Sequence, residues 1–134
     1  MDVLRDERFE LRQQEDIVHL RQAARAWSVE VGFSLVEQTK IVTAASELAR
    51  NTIEHGKGGG ARFRWISDNG RSGFRMDFVD SGPGIPDLAL ALTDGYTTGN
   101  GLGLGLSGSK RLMNEFEIES AVGKGTRVSV TRWR

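Results

Sequence analysis

Three short runs of this chain set a reactive or ligating side chain at a spacing that chemistry could use. The first is Glu47-Leu48-Ala49-Arg50-Asn51. On a helix, a four-residue step places Glu47 and Asn51 one turn apart on one face. A carboxylate there can accept a proton or orient a nucleophile, and an amide oxygen suits Mg²⁺ as a hard ligand. Taken alone, the same pair is more often an ordinary solvated helix face. The second run is Asp80-Ser81-Gly82-Pro83-Gly84-Ile85-Pro86, which follows an alternating segment. A carboxylate at a strand end could accept from an exocyclic amine such as that of adenine. Gly82 and Gly84 would let a flat ring reach the backbone, and Ile85 could cover it. A plain Gly/Pro turn after a strand has the same composition. The third is Gly99-Asn100-Gly101-Leu102-Gly103-Leu104-Gly105-Leu106, opening into a helical stretch. Successive backbone amides at a helix start attract anions. The alternating leucines give that loop anchors which a flexible Gly/Ser linker would lack.

The elements that must position these runs follow from periodicity. Phe9 and Leu11 alternate with Glu10 and Arg12, as in a short half-buried strand. From Glu15 the period lengthens: Ile17, Leu20, Ala24, Trp27 and Val31 mark an amphipathic helix ending at Gly32. Ser34 and Glu37 form a Ser-x-x-Glu capping box for a second helix, with Val42, Ala45, Ala49 and Ile53 on one stripe and Gly56 as its stop. Alternating segments at 61–67 and 73–79 flank an Asn69-Gly70 turn, with Phe74, Met76 and Phe78 facing one way and Arg75 and Asp77 the other. A short helical piece at 87–92 precedes the glycine loop. A helix at 106–113 and a last hairpin, 116–122 with 126–133 around Gly123-Lys124-Gly125, complete the chain. This order predicts an α+β fold: a two-layer sandwich of one mixed, mostly antiparallel sheet with helices on one face.

Composition removes several function classes. A chain of 134 residues suits a single domain, here expected over 1–134. No cysteine is present, so disulfides, thiolate metal sites and cysteine nucleophiles are excluded. His19 and His55 are too few for a multi-histidine metal centre. A formal net charge of zero argues against a general nucleic-acid binder. Residues 1–8 hold no apolar leader, and no run approaches the ~20 apolar residues of a membrane span. A soluble cytoplasmic protein without nucleic-acid or membrane partners is expected. The seventeen glycines lie mostly in 56–60, 82–84 and 95–108 rather than spread as linkers. Such clustering suggests backbone held close to something. Two familiar phosphate motifs fail. Gly103-x-Gly105-x-x-Gly108 lacks a preceding strand and a βαβ unit. Gly103-x-x-x-x-Gly108-Ser109-Lys110 lacks a lysine directly after the glycine.

Four ambiguous elements in fixed order are more specific than any one: Glu47-x-x-x-Asn51, Asp80-x-Gly82-x-Gly84, Gly101-Leu102-Gly103-Leu104-Gly105, and Gly123-x-Gly125-Thr126. The combination resembles the Bergerat-fold ATPase/kinase superfamily of gyrase, Hsp90, histidine kinases and anti-sigma-factor kinases. The resemblance runs from Ser34 to Trp133. The stretches 45–51 and 105–116, together with the overall length, look very like the RsbT-type serine/threonine kinases of the bacterial stressosome. That resemblance implies ATP and Mg²⁺ as cofactors. It implies that Glu47 orients or deprotonates the attacking group and that Asn51 binds Mg²⁺. Asp80 would hold the adenine amine, Gly82, Gly84 and Ile85 would line the base, and Thr126 would join that network. Gly101, Leu102, Gly103, Leu104, Gly105 and Leu106 would wrap the phosphates, and 94–100 would form a lid. The implied partners are STAS-domain proteins as substrates and a downstream effector such as a PP2C-type phosphatase, in a partner-switching stress response.

One position departs from the histidine-kinase pattern. Glu54 stands where a Lys or Arg is common, three residues after the motif Asn, so a phosphate cation must come from Lys57, Arg50 or Lys110. His55 reads as a helix-end cap or packing residue. The alternative function is an anti-sigma factor or nucleotide-gated sequestration module with slow or vestigial transfer. Glu47 weighs against it, because a pure binder could dispense with the base.

Overall fold

A computed structural model, describing residues 1–92 and 106–134, resolves the chain into two layers. In order, the elements are β1 (Asp2–Leu11), α1 (Gln14–Val31), α2 (Leu35–Glu54), β2 (Gly59–Asp68), β3 (Arg71–Asp80), α3 (Leu88–Ala91), α4 (Leu106–Leu112), β4 (Glu115–Ala121) and β5 (Gly125–Trp133). The strands form one sheet in the order β1-β2-β3-β5-β4, and every pairing among them is antiparallel. The expected α+β sandwich is therefore borne out, with no parallel pair among the described strands. β1 begins seven residues before the Phe9 expected from alternation. It is an edge strand whose side chains are mostly exposed, so burial leaves no period in its first half.

The core lies between one sheet face and the helices. Ile17, Leu20, Ala24, Trp27 and Val31 of α1 are all buried, as their spacing predicts. Trp27 stacks on Phe74 at a centroid distance of 5.3 Å and meets Phe63 edge-on at 5.8 Å. Its indole N–H donates to Glu7 Oε1 at 3.2 Å, which ties α1 to β1. On β3, Phe74, Met76 and Phe78 face this core. Asp77 points to the opposite face, where it meets the guanidiniums of Arg64 at 2.5 Å and Arg75 at 3.2 Å and the hydroxyl of Ser129 at 2.5 Å.

Both ends of α2 fix the site that it carries. At its start Ser34 Oγ accepts the Glu37 N–H at 3.2 Å, while the Glu37 carboxylate accepts from the Ser34 N–H at 3.3 Å. This is the expected capping box. At its end the structure corrects the sequence reading. The helix stops at Glu54 with His55 as cap, and the left-handed turn is made by Lys57 (φ 60°) and Gly58 (φ 105°), not by Gly56. Gly56 serves another purpose. A Cβ there would lie 2.2 Å from Cγ of Asp80, so only glycine lets the end of α2 press against that carboxylate.

Candidate functional site

The sheet register assembles one wall of a cleft. Ser120 on β4 pairs with Thr126 on β5, and Thr126 pairs with Asp80 on β3. Side chains two apart on a strand share a face. Asp80 therefore points the same way as Phe78, Thr126 the same way as Val128, and Ser120 the same way as Ile118: toward α2. Asn51, reached from α2, faces this wall. Together with Leu48, Thr52, His55, Phe78, Ile85, Leu106 and Val128, the residues Asn51, Asp80 and Thr126 line a single cavity. Five residues proposed from sequence, Asn51, Asp80, Ile85, Leu106 and Thr126, thus converge from five separate segments.

The loop after β3 is locked against this wall by hydrogen bonds. Asp80 Oδ1 accepts the Gly82 N–H at 2.9 Å, which folds the loop back at once. The Ile85 N–H donates to Ser120 Oγ at 2.8 Å. His55 Nε2 lies 3.3 Å from the Gly84 carbonyl oxygen, bridging the end of α2 to the same loop. This is the packing role expected of His55. At Gly84, φ is 78° and a Cβ would lie 2.1 Å from the Ala121 carbonyl oxygen. Both facts demand glycine, for a backbone reason separate from the approach of a flat ring expected from the sequence.

As it stands the cavity is about 20 Å³. That is room for roughly one water, far below the ~300 Å³ of a small-molecule pocket. Asp80, Thr126 and Val128 are held by ladder hydrogen bonds on both sides, whereas Ile85 and Leu106 belong to no strand. The polar side chains of the wall therefore stand on the sheet, and the apolar lining comes from the loop after β3 and from α4.

Glu47 lies one turn before Asn51 and is partly exposed. Arg50 Nη1 donates to its Oε1 at 2.8 Å. At this exposure the ion pair contributes little to stability, so its effect is geometric: it fixes one carboxylate oxygen. Of the three candidate phosphate cations, Arg50 is engaged in this way, Lys57 sits in the turn after α2, and Lys110 is exposed in the last turn of α4. Leu106, the first residue of α4, is buried against the site. The proposed lid at 94–100 and the phosphate loop of Gly101, Leu102, Gly103, Leu104 and Gly105 lie outside the described residues.

Sequence reasoning missed Ser120. Its signal was present: alternation of Phe116, Ile118 and Ser120 puts a hydroxyl on the apolar face, directly across the Gly123–Gly125 turn from Thr126. The Glu47–Arg50 pair and the reason for Gly56 were also not read.

With this geometry in view, comparison with known proteins is informative. The family described as "Histidine kinase-like ATPase domain" matches residues 11–132. The serine/threonine-protein kinase RsbT of Bacillus subtilis (strain 168) is 43% identical over 118 residues, covering 88% of this chain and 89% of that protein. The anti-sigma F factor of Thermoanaerobacter sp. (strain X514) is 32% identical over 120 residues, 84% of this chain and 82% of the relative. The crystal structure of the RsbU and RsbW domains of Rv1364c from Mycobacterium tuberculosis matches 97% of this chain with a TM-score of 0.66 and 22% identity. Only 33% of that longer chain is matched, and at this identity the likeness shows the shared fold. The sequence match spans all three polar segments, Glu47–Asn51, Asp80–Ile85 and Thr126, and the chain belongs to the histidine kinase-like ATPase domains and is of the RsbT type.

Proposed function

We propose that the chain is an ATP- and Mg²⁺-dependent protein serine/threonine kinase. Its substrates are STAS-domain partners, and it alternates between them and a downstream effector such as a PP2C-type phosphatase. The observation that carries this reading is the convergence of Asn51, Asp80 and Thr126 on one cleft, with Glu47 one turn beyond it on the same helix. The 43% identity to a serine/threonine-protein kinase supports the reaction class.

In this reading Asp80 accepts from the adenine amine while Gly82, Gly84 and Ile85 bound the ring. Gly101, Leu102, Gly103, Leu104, Gly105 and Leu106 supply backbone amides to the phosphates. The donor set fits Mg²⁺. Among the described residues no three His, Cys, Asp or Glu gather into a protein cage. Mg²⁺ needs no such cage, because it takes one or two protein oxygens and completes its shell with phosphates and water. Asn51 would hold it, and when bound it offsets charge on the β- and γ-phosphates. Glu47 takes the proton of the substrate hydroxyl as its oxygen attacks the γ-phosphorus. A new O–P bond forms, the bond to the β-phosphate oxygen breaks, ADP leaves, and the proton passes from Glu47 to water. Arg50 holds the carboxylate in the orientation this step requires. Phosphoryl transfer has a loose transition state in which positioning and charge do most of the catalysis.

Incubation with γ-labelled ATP, Mg²⁺ and a STAS-domain substrate tests the assignment. Label on a serine or threonine of the STAS protein is the expected result. Tight ATP binding with no label on any STAS partner would overturn the kinase reading in favour of sequestration, the activity for which anti-sigma factors are named.

A further inference from the structure

The sheet has a second face, on the far side from the cleft, and its charges are unevenly set. Alternation puts Phe63, Phe74 and Met76 against the helices. Arg62, Arg64, Arg75 and Asp77 therefore stand on the other side, joined in register by Arg8 of β1 and Arg127 of β5. Five guanidiniums thus gather across four adjacent strands, and their counter-charges are few. Asp77 meets Arg64 at 2.5 Å and Arg75 at 3.2 Å and lies 4.0 Å from Arg127. Asp6 accepts from Arg62 at 2.9 and 2.5 Å. Glu119 stands 3.8 Å from Arg127. The local balance is positive in a chain whose net charge is zero.

The patch has a shape as well. Gly60 stands between Glu10 of β1 and Val79 of β3 and puts no side chain on this face. The gap is a trough of about 620 Å³, lined by Arg8, Arg62, Arg64 and Arg127, with Val79 half exposed at its side. On a sheet face the walls are one side chain high, so an occupant gains by lying along the trough rather than by being enclosed. The border limits what that occupant can be. Glu10 is exposed on one side, and Glu115, Glu117 and Glu119 run exposed along β4 on the other. A membrane surface or a nucleic-acid strand spreads its negative charge widely and would press phosphates onto these glutamates. A short stretch of protein with its carboxylates close together meets the arginines alone. Guanidinium matches carboxylate through paired parallel hydrogen bonds, and arginine clusters are a general means of reading acidic motifs.

We propose that this face is a docking surface for a short acidic segment of a partner protein, held by Arg8 and Arg127 on the two sides of the Gly60 trough. The surface lies across the sheet from α2, so a partner seated there leaves Glu47 and the ATP cleft open. The inference stands apart from the nucleotide reading.

Fluorescence anisotropy of a labelled peptide of glutamate and leucine, titrated with the full chain, tests it. The same peptide with glutamine in place of glutamate controls for shape without charge. The glutamate peptide should bind saturably below about 1 mM and the glutamine peptide should not. Affinity should fall as salt rises from about 0.01 M to about 1 M, where the Debye length shrinks from ~30 to ~3 Å. Arg8→Glu with Arg127→Glu should weaken binding about tenfold or more while leaving affinity for an ATP analogue within about twofold. Both side chains are exposed, and Arg8→Gln with Arg127→Gln serves if charge reversal prevents folding. A glutamate peptide that does not bind, that binds no better than its glutamine counterpart, or that the reversed variant still binds within about twofold would overturn the proposal. A wild-type dimer in sedimentation that the variant converts to monomer would give the face to a second copy and overturn it too. So would pelleting with phosphatidylserine vesicles, or binding of single-stranded DNA, that the same variant loses.

Discussion

Replacing Gly56 by alanine tests the claim that the end of α2 and the Asp80 carboxylate are built around each other. The added methyl would lie 2.2 Å from Cγ, 2.4 Å from Oδ2 and 2.5 Å from Cβ of Asp80. Non-bonded carbons settle at about 3.5–4 Å, so the carboxyl group must retreat by more than about 1 Å. Asp80 cannot carry its strand along, because it is paired to Gly59 on one side and Thr126 on the other. The side chain must rotate, losing the Gly82 N–H bond at 2.9 Å and its aim into the cavity. A hydrogen bond to a charged group contributes about 1.5–3 kcal/mol, which predicts ATP affinity weakened about tenfold to a hundredfold or slightly more. Stability should fall by only about 1–3 kcal/mol, the usual range for one extra methyl in a packed place, since the Gly56 backbone suits alanine. Calorimetric titration with ATP, alongside thermal unfolding, separates the two effects. A folded Gly56→Ala protein that binds ATP within twofold of wild type would refute the claim that Asp80 must stand where it does for the nucleotide to bind.

Other perturbations divide the site by role. Glu47→Ala should keep ATP affinity within about twofold and lose phosphorylation of the STAS substrate by about 10²–10⁴-fold, read by label transfer; normal turnover would remove Glu47 from the reaction. Asn51→Ala should abolish the difference in ATP affinity measured with Mg²⁺ and with chelator, and a preserved difference would place the metal elsewhere. Asp77→Asn should destabilise the fold by about 3–5 kcal/mol at neutral pH in denaturant titration, because Arg64 and Arg75 lose their shared counter-charge. Burial pushes the Asp77 carboxyl up, but the Ser129 hydrogen bond and the charges of Arg75 and Arg64 outweigh it and hold the group below its ordinary value. A depressed folded-state value means stability present above about pH 4 and lost as pH falls through it. Wild type and variant should therefore converge in acid, and a gap independent of pH would contradict the ionic origin.

The two long helices and the central strands were legible because burial imposes a period on them. Trp27, Ala45 and Phe74 announce their faces through neighbours at helical or alternating steps. The first half of β1 was not legible, because Asp2–Glu7 bury nothing and an edge strand leaves no pattern. Of the candidate site, Asn51 and Asp80, which the structure brings to one cavity, could be singled out because chemistry restricts which residue types stand at that spacing. Gly56 was read as a helix stop, the commonest reason for a glycine at that place. Its true constraint comes from Asp80, distant in sequence and visible only once β3 lies beside α2. Ser120 escaped for a similar reason. A hydroxyl at a core-facing position of a hairpin carries no motif, and its meaning depends on which carbonyl and which threonine the register brings to it.

The placement of its polar groups bears on how such a site can be selective at all. Hydrogen-bonding groups discriminate only when they are held in place before the ligand arrives, since a donor or acceptor free to turn adapts to either edge of a base. Here the polar groups sit on the three strands β3, β5 and β4, each fixed by its neighbours, with Thr126 further fixed by Ser120. The apolar part of the lining, Ile85 and Leu106, lies off the strands, with the Ile85 side chain in apolar contact and its N–H bonded to Ser120 Oγ. Recognition therefore rests on side chains whose backbone the sheet holds. Had the assignment been inverted, with Asp80 on a loop and the apolar residues on the strands, the acceptor would be free to move and the preference would be lost with it.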